Sequence, residues 1–478
     1  MPRFDAEPPT AAGGPRRAWA TPDEVVAANA PGAHAATSAL LTDQYELTMA
    51  ASYLSQSMTA SATFDLFVRS LPPERRFLVA AGLADALEFL EQMRFTDSDL
   101  EYLRSLDTFP ETFLEYLADF RFSGEVWAIP EGEVCFPDEP LLRVSAPLIE
   151  AQIVETALLT TVAHQTGIAS KAARVALAAG EHAFVDFGAR RAHGPEAALR
   201  GARAAYIAGA AGTSNVLAGK AYGIPISGTM AHSYVMAFDD ERDAFRRFAR
   251  DFPSNAVLLI DTYDTVEGAR RAVEVAHELA EEGIRIAGVR LDSGDLGALA
   301  HRVRDILDQG GLGETRIVAS GDLDEHRIAG LLADGVPIDS FGVGTQMAVS
   351  ADVPALGAVY KLVEYNGRPV LKLSTGKSTL PGRKQVWREV QDGTWTVDTI
   401  GLEHETAIAG RPMLVKVMVD GTPVNGRATL EEARERCARG LRELPEWLRE
   451  LERHTPSRPV RTSDELDALV ARITKEVG

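Results

Sequence analysis

In the middle of the chain, short apolar runs end one after another on residues able to handle an anion. The runs at 183–187, 224–227, 257–260, 286–291, 316–319 and 340–343 contain or lead to Arg190 and Arg191, His232, Asp261 and Asp264, Arg290 with Asp292 and Asp295, Ser320 with Asp322, and Gly342, Gly344 and Thr345. A glycine-rich turn, Gly212-Thr213-Ser214-Asn215, joins them. If the runs are parallel strands, their carboxyl ends converge on one face. The set then suits phosphate chemistry. Gly321 and Gly344 let backbone N–H groups approach a phosphate, helix N-termini favour the anion, and arginines grip it in two-pronged fashion. Carboxylates serve sugar hydroxyls and Mg²⁺.

Each residue also has a plainer reading. Asp264 stands three before Glu267 and Asp322 three before Glu325, the spacing of helix N-caps. Gly342 and Gly344 suit tight turns, and a single histidine near a helix start is usually structural. The coincidence of all these ends is what favours chemistry, since capping would not also require arginine at two of them. No HExxH, paired CxxC or G-x-S-x-G is present, and the ten histidines are scattered, so no metal-only motif or nucleophile elbow competes.

The elements that must position these residues follow from periodicity. Amphipathic helices, clearest at 266–281 and 296–307, separate the apolar runs, and repeated βα units imply a parallel sheet, open and doubly wound or closed into a barrel. A long helical stretch at 149–179 leads into this region. Before it, helical patterns at 80–93 and 97–106 mix with strands at 63–68 and 125–129, an α+β unit over 38–150. The α/β unit spans 151–354. Strands return at 355–425, with Asn366-Gly367 as a hairpin turn, and this segment is expected to rejoin the first unit. Residues 426–478 read as a helical extension, with capping-box spacing at Thr429 and Glu432 and at Thr462 and Glu465. Residues 1–37, rich in Ala, Pro and Gly and without a signal-peptide core, read as a disordered tail.

Composition excludes several classes. A length of 478 residues allows two or three domains with real cores, and 45% hydrophobic with 25% charged residues is ordinary for a soluble protein. No apolar run approaches the roughly 18 residues of a membrane span. The net charge of −20 argues against a nucleic-acid surface. Cys135 and Cys437 are too few for a disulfide framework, fit a reducing compartment, and read as buried hydrophobes.

Seven stretches, in order, carry a resemblance: LLTDQYELTMAASY (40–53), FVDFGARRAHGPEAA (184–198), AAGTSNVLAGKAYGIPISGTMAHSYVMAF (210–238), IDTYDT (260–265), GVRLDSGDL (288–296), ASGDLDE (319–325) and FGVGTQM (341–347). From about residue 40 to 425 the chain resembles nicotinate phosphoribosyltransferases. The resemblance implies an irregular α/β barrel with a second α+β domain formed from both chain ends, in a cytoplasmic homodimer with shared active sites. It implies the NAD-salvage reaction (Preiss-Handler) that makes nicotinate mononucleotide and pyrophosphate from nicotinic acid and phosphoribosyl pyrophosphate (PRPP), coupled to ATP hydrolysis.

Residue by residue, Tyr45 of a neighbouring chain and Phe187 would sandwich the pyridine ring, and Arg190 would hold its carboxylate. Ser214 stands where nicotinamide-using relatives place an aspartate; a hydroxyl can donate to the acid. His232 matches the histidine that ATP phosphorylates. Arg290 would bind the pyrophosphate side, while Gly321, Asp322, Gly344 and Thr345 would cradle the ribose and its 5-phosphate. The ring nitrogen needs no general base, so Asp261 and Asp292, with Mg²⁺ brought by PRPP, would stabilise oxocarbenium character. Lys377, Lys384 and Arg388 are weaker candidates for phosphate or ATP, against a solvated basic loop. The rival readings are a nicotinamide or quinolinate phosphoribosyltransferase, a barrel aldolase (though no strand-end lysine offers a Schiff base) and a non-catalytic relative of the same fold.

Overall fold

The structure, a computed structural model, describes residues 38–373, 379–424, 428–451 and 460–477. The tail at 1–37 and Lys377 lie outside the described residues.

Five short strands, Ala183–Asp186, Val257–Leu259, Gly288–Leu291, Arg316–Ala319 and Ser340–Val343, form an all-parallel sheet. Their spatial order is 183–186, 340–343, 316–319, 288–291, 257–259. Leu258, Leu259, Val289, Ile317 and Val343 are fully buried, as near-continuous apolar parallel strands require. Each such side chain contributes about 1.5–3 kcal/mol by leaving water. The run at 224–227 contributes no strand. Ile226 makes one isolated parallel bridge to Thr213, which bridges in turn to Asp186. Pro225 has no N–H to offer a ladder and only accepts from the Thr213 N–H.

The intervening helices begin where aspartates cap them. Asp264, Asp295 and Asp324 accept from the backbone N–H of Glu267, Ala298 and Arg327, opening Thr265–Ala280, Leu296–Gln309 and Glu325–Ala333. Asp264 thus takes its plainer reading. Asp322 does not: its neighbour Asp324 supplies the cap, and Asp322 sits before the helix in a left-handed conformation with φ 49°. Gly268 lets the first helix lie directly on its strand, because a Cβ there would stand 2.1 Å from the Ile260 carbonyl oxygen.

A seven-stranded antiparallel sheet draws on chain from either side of the parallel one. Its order is 368–369, 358–365, 61–68, 140–147, 125–128, 415–419, 422–423. The Asn366-Gly367 hairpin forms as expected, with Tyr365 opposite Arg368 and both turn residues at positive φ. The helical stretch at 149–179 is two helices, Leu148–Ile153 and Glu155–Ala179. The longer one joins two hydrophobic cores. Ala157, Leu158 and Val162 pack with the antiparallel sheet, while Ile168, Ala172, Val175 and Ala179 pack beside the parallel one.

The C-terminal residues are not helix alone. Val460–Thr462 adds a parallel strand to Thr394–Leu402 in a four-stranded sheet. The capping box at Thr429 and Glu432 is present at the start of Leu430–Glu443. The one expected at Thr462 and Glu465 is not formed: Ser463 accepts from the Leu466 N–H, and Glu465 accepts from His404. Cys135 and Cys437 are buried and unbridged. No helix among the described residues is long and apolar enough to cross a membrane.

Lys384 and Arg388 are corrected by their burial. The Lys384 ammonium stands 2.8 Å from the Asp65 carboxylate and donates to the carbonyls of Leu380 and Gly382. Arg388 pairs with Asp398 at 2.5 Å. The first pair ties two sheets together and the second joins neighbouring strands of one sheet, so neither basic residue is a solvated loop residue or a phosphate contact. Lys384→Met would strand the buried Asp65 charge and is expected to lower unfolding stability by about 3–5 kcal/mol, read as a shift of the urea midpoint. An unchanged midpoint would show that the pair is dispensable.

Candidate active site

A cavity of about 500 Å³ opens at the carboxyl ends of the parallel strands. Phe187, Arg190, Ser214, His232, Arg290, Asp292, Gly321, Asp322, Gly344 and Thr345 all line it, although they come from six separate stretches of chain. Arg191, Ser320 and Gly342, also strand-end residues, line it too. Two of the twelve expected residues stand elsewhere. Asp261 lies just behind the wall. Tyr45, on the helix Gln44–Ser55, is outside the cavity lining and 47% exposed.

Local bonding explains how the wall is held. The buried Asp186 carboxylate accepts from the Gly188 N–H and the Thr213 hydroxyl, both at 2.8 Å, which fixes the turn carrying Phe187. Burial raises the pKa of Asp186, and those two donors oppose the rise. The Phe187 ring occupies space that only glycine leaves open, since a Cβ at Gly342 would come within 2.4 Å of it. Arg290 stacks its guanidinium 6.0 Å from the centre of that ring.

Arg290 is mostly buried. It donates to the Thr229 hydroxyl at 2.7 Å and the Met230 carbonyl at 3.2 Å, and its other terminal nitrogen lies 3.7 Å from Asp292. Its Nε is buried with no partner. Desolvation pulls its pKa down, Asp292 and Asp261 support the charge, and Arg190 opposes it. The arginine is therefore under-neutralised where an anion can complete it.

The carboxylates are staggered in depth. Asp261 accepts from the Asp292 backbone N–H at 2.9 Å and the Ser293 hydroxyl at 2.6 Å, while its Oδ1 is buried without a hydrogen-bond partner. Asp292 accepts from Ser320 at 2.5 Å and lies 3.8 Å from Nε2 of His232. His232 opens a short helix, and its Nδ1 meets the Thr262 hydroxyl at 3.2 Å, so Nε2 faces the cavity side. Gly321, at φ 94°, brings its backbone against Asp292: a Cβ there would stand 1.9 Å from the Asp292 carbonyl oxygen.

Ser214 is exposed to the cavity, and the cap of the next helix is Asn215, which accepts from the Ala218 N–H. The capping alternative for Ser214 is thereby removed. Sequence reasoning missed the supporting residues Thr229, Thr262 and Ser293. Each lies within three residues of a chosen one, but nothing in their spacing says whose side chain they will meet.

Anion-binding turns, a cationic wall and staggered carboxylates at the open end of a parallel α/β sheet define a site for a phosphorylated sugar. The comparisons narrow that class. A family model for the nicotinate phosphoribosyltransferase N-terminal domain matches residues 40–163, and one for the nicotinate phosphoribosyltransferase family matches 182–392. A nicotinate phosphoribosyltransferase of Mycobacterium tuberculosis is 50% identical over 91% of this chain and 94% of its own, and that of Bacillus subtilis is 48% identical over 73% and 72%. The crystal structure of human nicotinic acid phosphoribosyltransferase superposes with a TM-score of 0.81 at 31% identity, covering 90% of this chain and 99% of that one. The chain belongs to the nicotinate phosphoribosyltransferase family, and transfer of a phosphoribosyl group to nicotinate is its activity.

Gly321→Ala is expected to push Asp292 out of place and lower kcat/KM by about 100-fold, the cost of a displacement near 1 Å, with the fold retained by circular dichroism. Activity within a factor of about two would show that the close approach does not matter.

Proposed function

We propose that this cavity holds PRPP and nicotinic acid side by side and forms nicotinate mononucleotide and pyrophosphate for NAD salvage, with ATP hydrolysis coupled through His232. The observation that carries the reading is the common wall: Arg190, His232, Arg290, Asp292, Gly321, Asp322, Gly344 and Thr345 meet at one cavity. Phe187 offers one aromatic face, with Arg190 for the carboxylate and the Ser214 hydroxyl as a further donor. Tyr45, half-exposed and away from its own cavity, suits a second subunit's site, and we assign the working unit as a homodimer. The Tyr45 hydroxyl bonds Glu155; burial and then the charges of Glu155 and Glu46 raise its pKa, so it stays a neutral phenol.

The ring nitrogen attacks C1 with its own lone pair, so the protein's task is alignment and charge control. Arg290, whose side chain lines the cavity, takes the pyrophosphate side. Gly321, Asp322, Gly344 and Thr345 seat the ribose and its 5-phosphate, the last two at the start of the helix Thr345–Ala348. Asp261 and Asp292 face the developing positive charge. Mg²⁺ fits here with PRPP: the orphaned Asp261 Oδ1 and nearby Asp292 are hard oxygen donors, and the ion would supply neutralisation of the leaving pyrophosphate. Among the described residues no group of three or more His, Cys, Asp or Glu side chains is placed to hold a metal, so substrate oxygens must complete its shell. His232 presents Nε2 as the phosphoryl acceptor.

The architecture supports an irregular barrel. Counting the bridged positions, the spatial order 226, 213, 183–186, 340–343, 316–319, 288–291, 257–259 is the chain order read around a ring. The gap between Ile226 and Val257–Leu259 is spanned at the cavity by the Gly228–His232 segment, through its bonds to Arg290 and Thr262. We divide the chain into the barrel at 151–354, an α+β domain of 38–150 with 355–425, and the extension 426–478, in a cytoplasmic enzyme.

A product assay with nicotinate or nicotinamide, PRPP and Mg²⁺, with and without ATP, tests the whole reading. Nicotinate mononucleotide should form, and faster with ATP; His232→Ala should keep a slow rate that ATP no longer stimulates. Retained stimulation would remove His232 from this role. Ser214→Asp should raise the KM for nicotinate more than about tenfold by setting like charges together. An unchanged KM would take Ser214 out of substrate choice.

A further inference from the structure

The two turns assigned to the 5-phosphate are tied together from behind by buried charge. Glu325 opens the helix after Gly321–Asp322, and Ser350 with Asp352 follow the short helix after Gly344–Thr345. The Lys171 ammonium reaches both, 2.7 Å from Glu325 and 3.1 Å from Asp352. Arg174 adds a bond to the other Glu325 oxygen at 2.9 Å. Arg75 binds Asp352 through two nitrogens, at 3.1 and 2.9 Å, and also donates to the Ser350 hydroxyl and the Gly167 carbonyl. Arg75, Lys171, Arg174 and Glu325 are buried, and none of the five charged residues lines the cavity.

We propose that Arg75, Lys171, Arg174, Glu325 and Asp352 form a positioning clamp that fixes the spacing of the Gly321–Asp322 and Gly344–Thr345 turns and so sets the affinity for PRPP. The inference rests on the reading that these turns hold the phosphate. Apolar side chains could fill the same volume at no loss of stability, but they slide, whereas a buried ammonium must keep both carboxylates within contact distance. Lys171 and Arg174 stand on the helix Glu155–Ala179, so the clamp is anchored to the element shared by the two cores. Ser350 is held at φ 46°, a conformation unfavourable for serine, and its bond from Arg75 helps keep it there.

Steady-state kinetics on the full chain test the clamp through Glu325→Gln and Lys171→Met. Each should raise the KM for PRPP about tenfold, with kcat and the KM for nicotinate changed less than about twofold. The double variant should lose less than the product of the two, because both remove one interaction. Two comparisons make the result decisive. Lys384→Met breaks a buried pair that bonds neither turn and should lower the melting temperature without moving the PRPP KM; an equal rise there would reduce the effect to general destabilisation and overturn the clamp. Thr345→Val tests the turn itself. If it raises the PRPP KM while Glu325→Gln does not, the clamp is refuted and the phosphate reading stands. If Thr345→Val changes nothing, the phosphate reading falls and takes the clamp with it. Should Lys171→Met fail to fold, the near-isosteric Glu325→Gln decides alone.

Discussion

Parallel pairing is the constraint from which the rest descends. Because the five strands run the same way and end at nearly one level, residues about thirty positions apart in the chain, such as Asp261, Asp292 and Ser320, stand within bonding reach. No single segment carries a site; the sheet assembles it. Asp292 shows this plainly, since its backbone N–H donates to Asp261, its side chain accepts from Ser320, and its carbonyl leaves room only for Gly321.

Within that frame, similar side chains have been given different tasks by small offsets. Asp264, Asp295 and Asp324 each accept a helix N–H and are spent on starting helices. Asp261, Asp292 and Asp322, two or three residues earlier in their segments, are turned to or just behind the cavity. The basic residues divide likewise: Arg190 and Arg290 line the cavity, whereas Lys171, Arg174, Lys384 and Arg388 neutralise buried carboxylates. A buried charge is tolerable only when paired, so the fold uses the second group as crosslinks between strands, sheets and helices.

The sequence made much of this legible, for a physical reason. Strands at 316–319 and 340–343 and helices near 266–281 and 296–307 announce themselves because burial imposes their periodicity on the residues. Ten of twelve expected site residues line the cavity because strand ends are recognisable without knowing the sheet order. What stayed hidden depends on three-dimensional pairing. Lys384 and Arg388 lie in a polar stretch with glycine and proline, and only the fold reveals that Asp65 and Asp398 wait for them in the interior. The cap at Asp324 and the single bridge at Ile226 turn on one hydrogen bond each, below what a pattern of residue types can resolve.

The recessed setting of Arg290 bears on how anions arrive. A protein carrying −20 overall repels a polyphosphate at long range, yet at physiological ionic strength that field fades within about 8 Å. The guanidinium, shielded from bulk ions by Thr229, Met230 and the Phe187 ring, keeps its pull at contact distance. Ambient electrolyte thus works in the enzyme's favour, quieting the repulsive exterior more than the attractive interior, and capture becomes a short-range event decided at the mouth of the site.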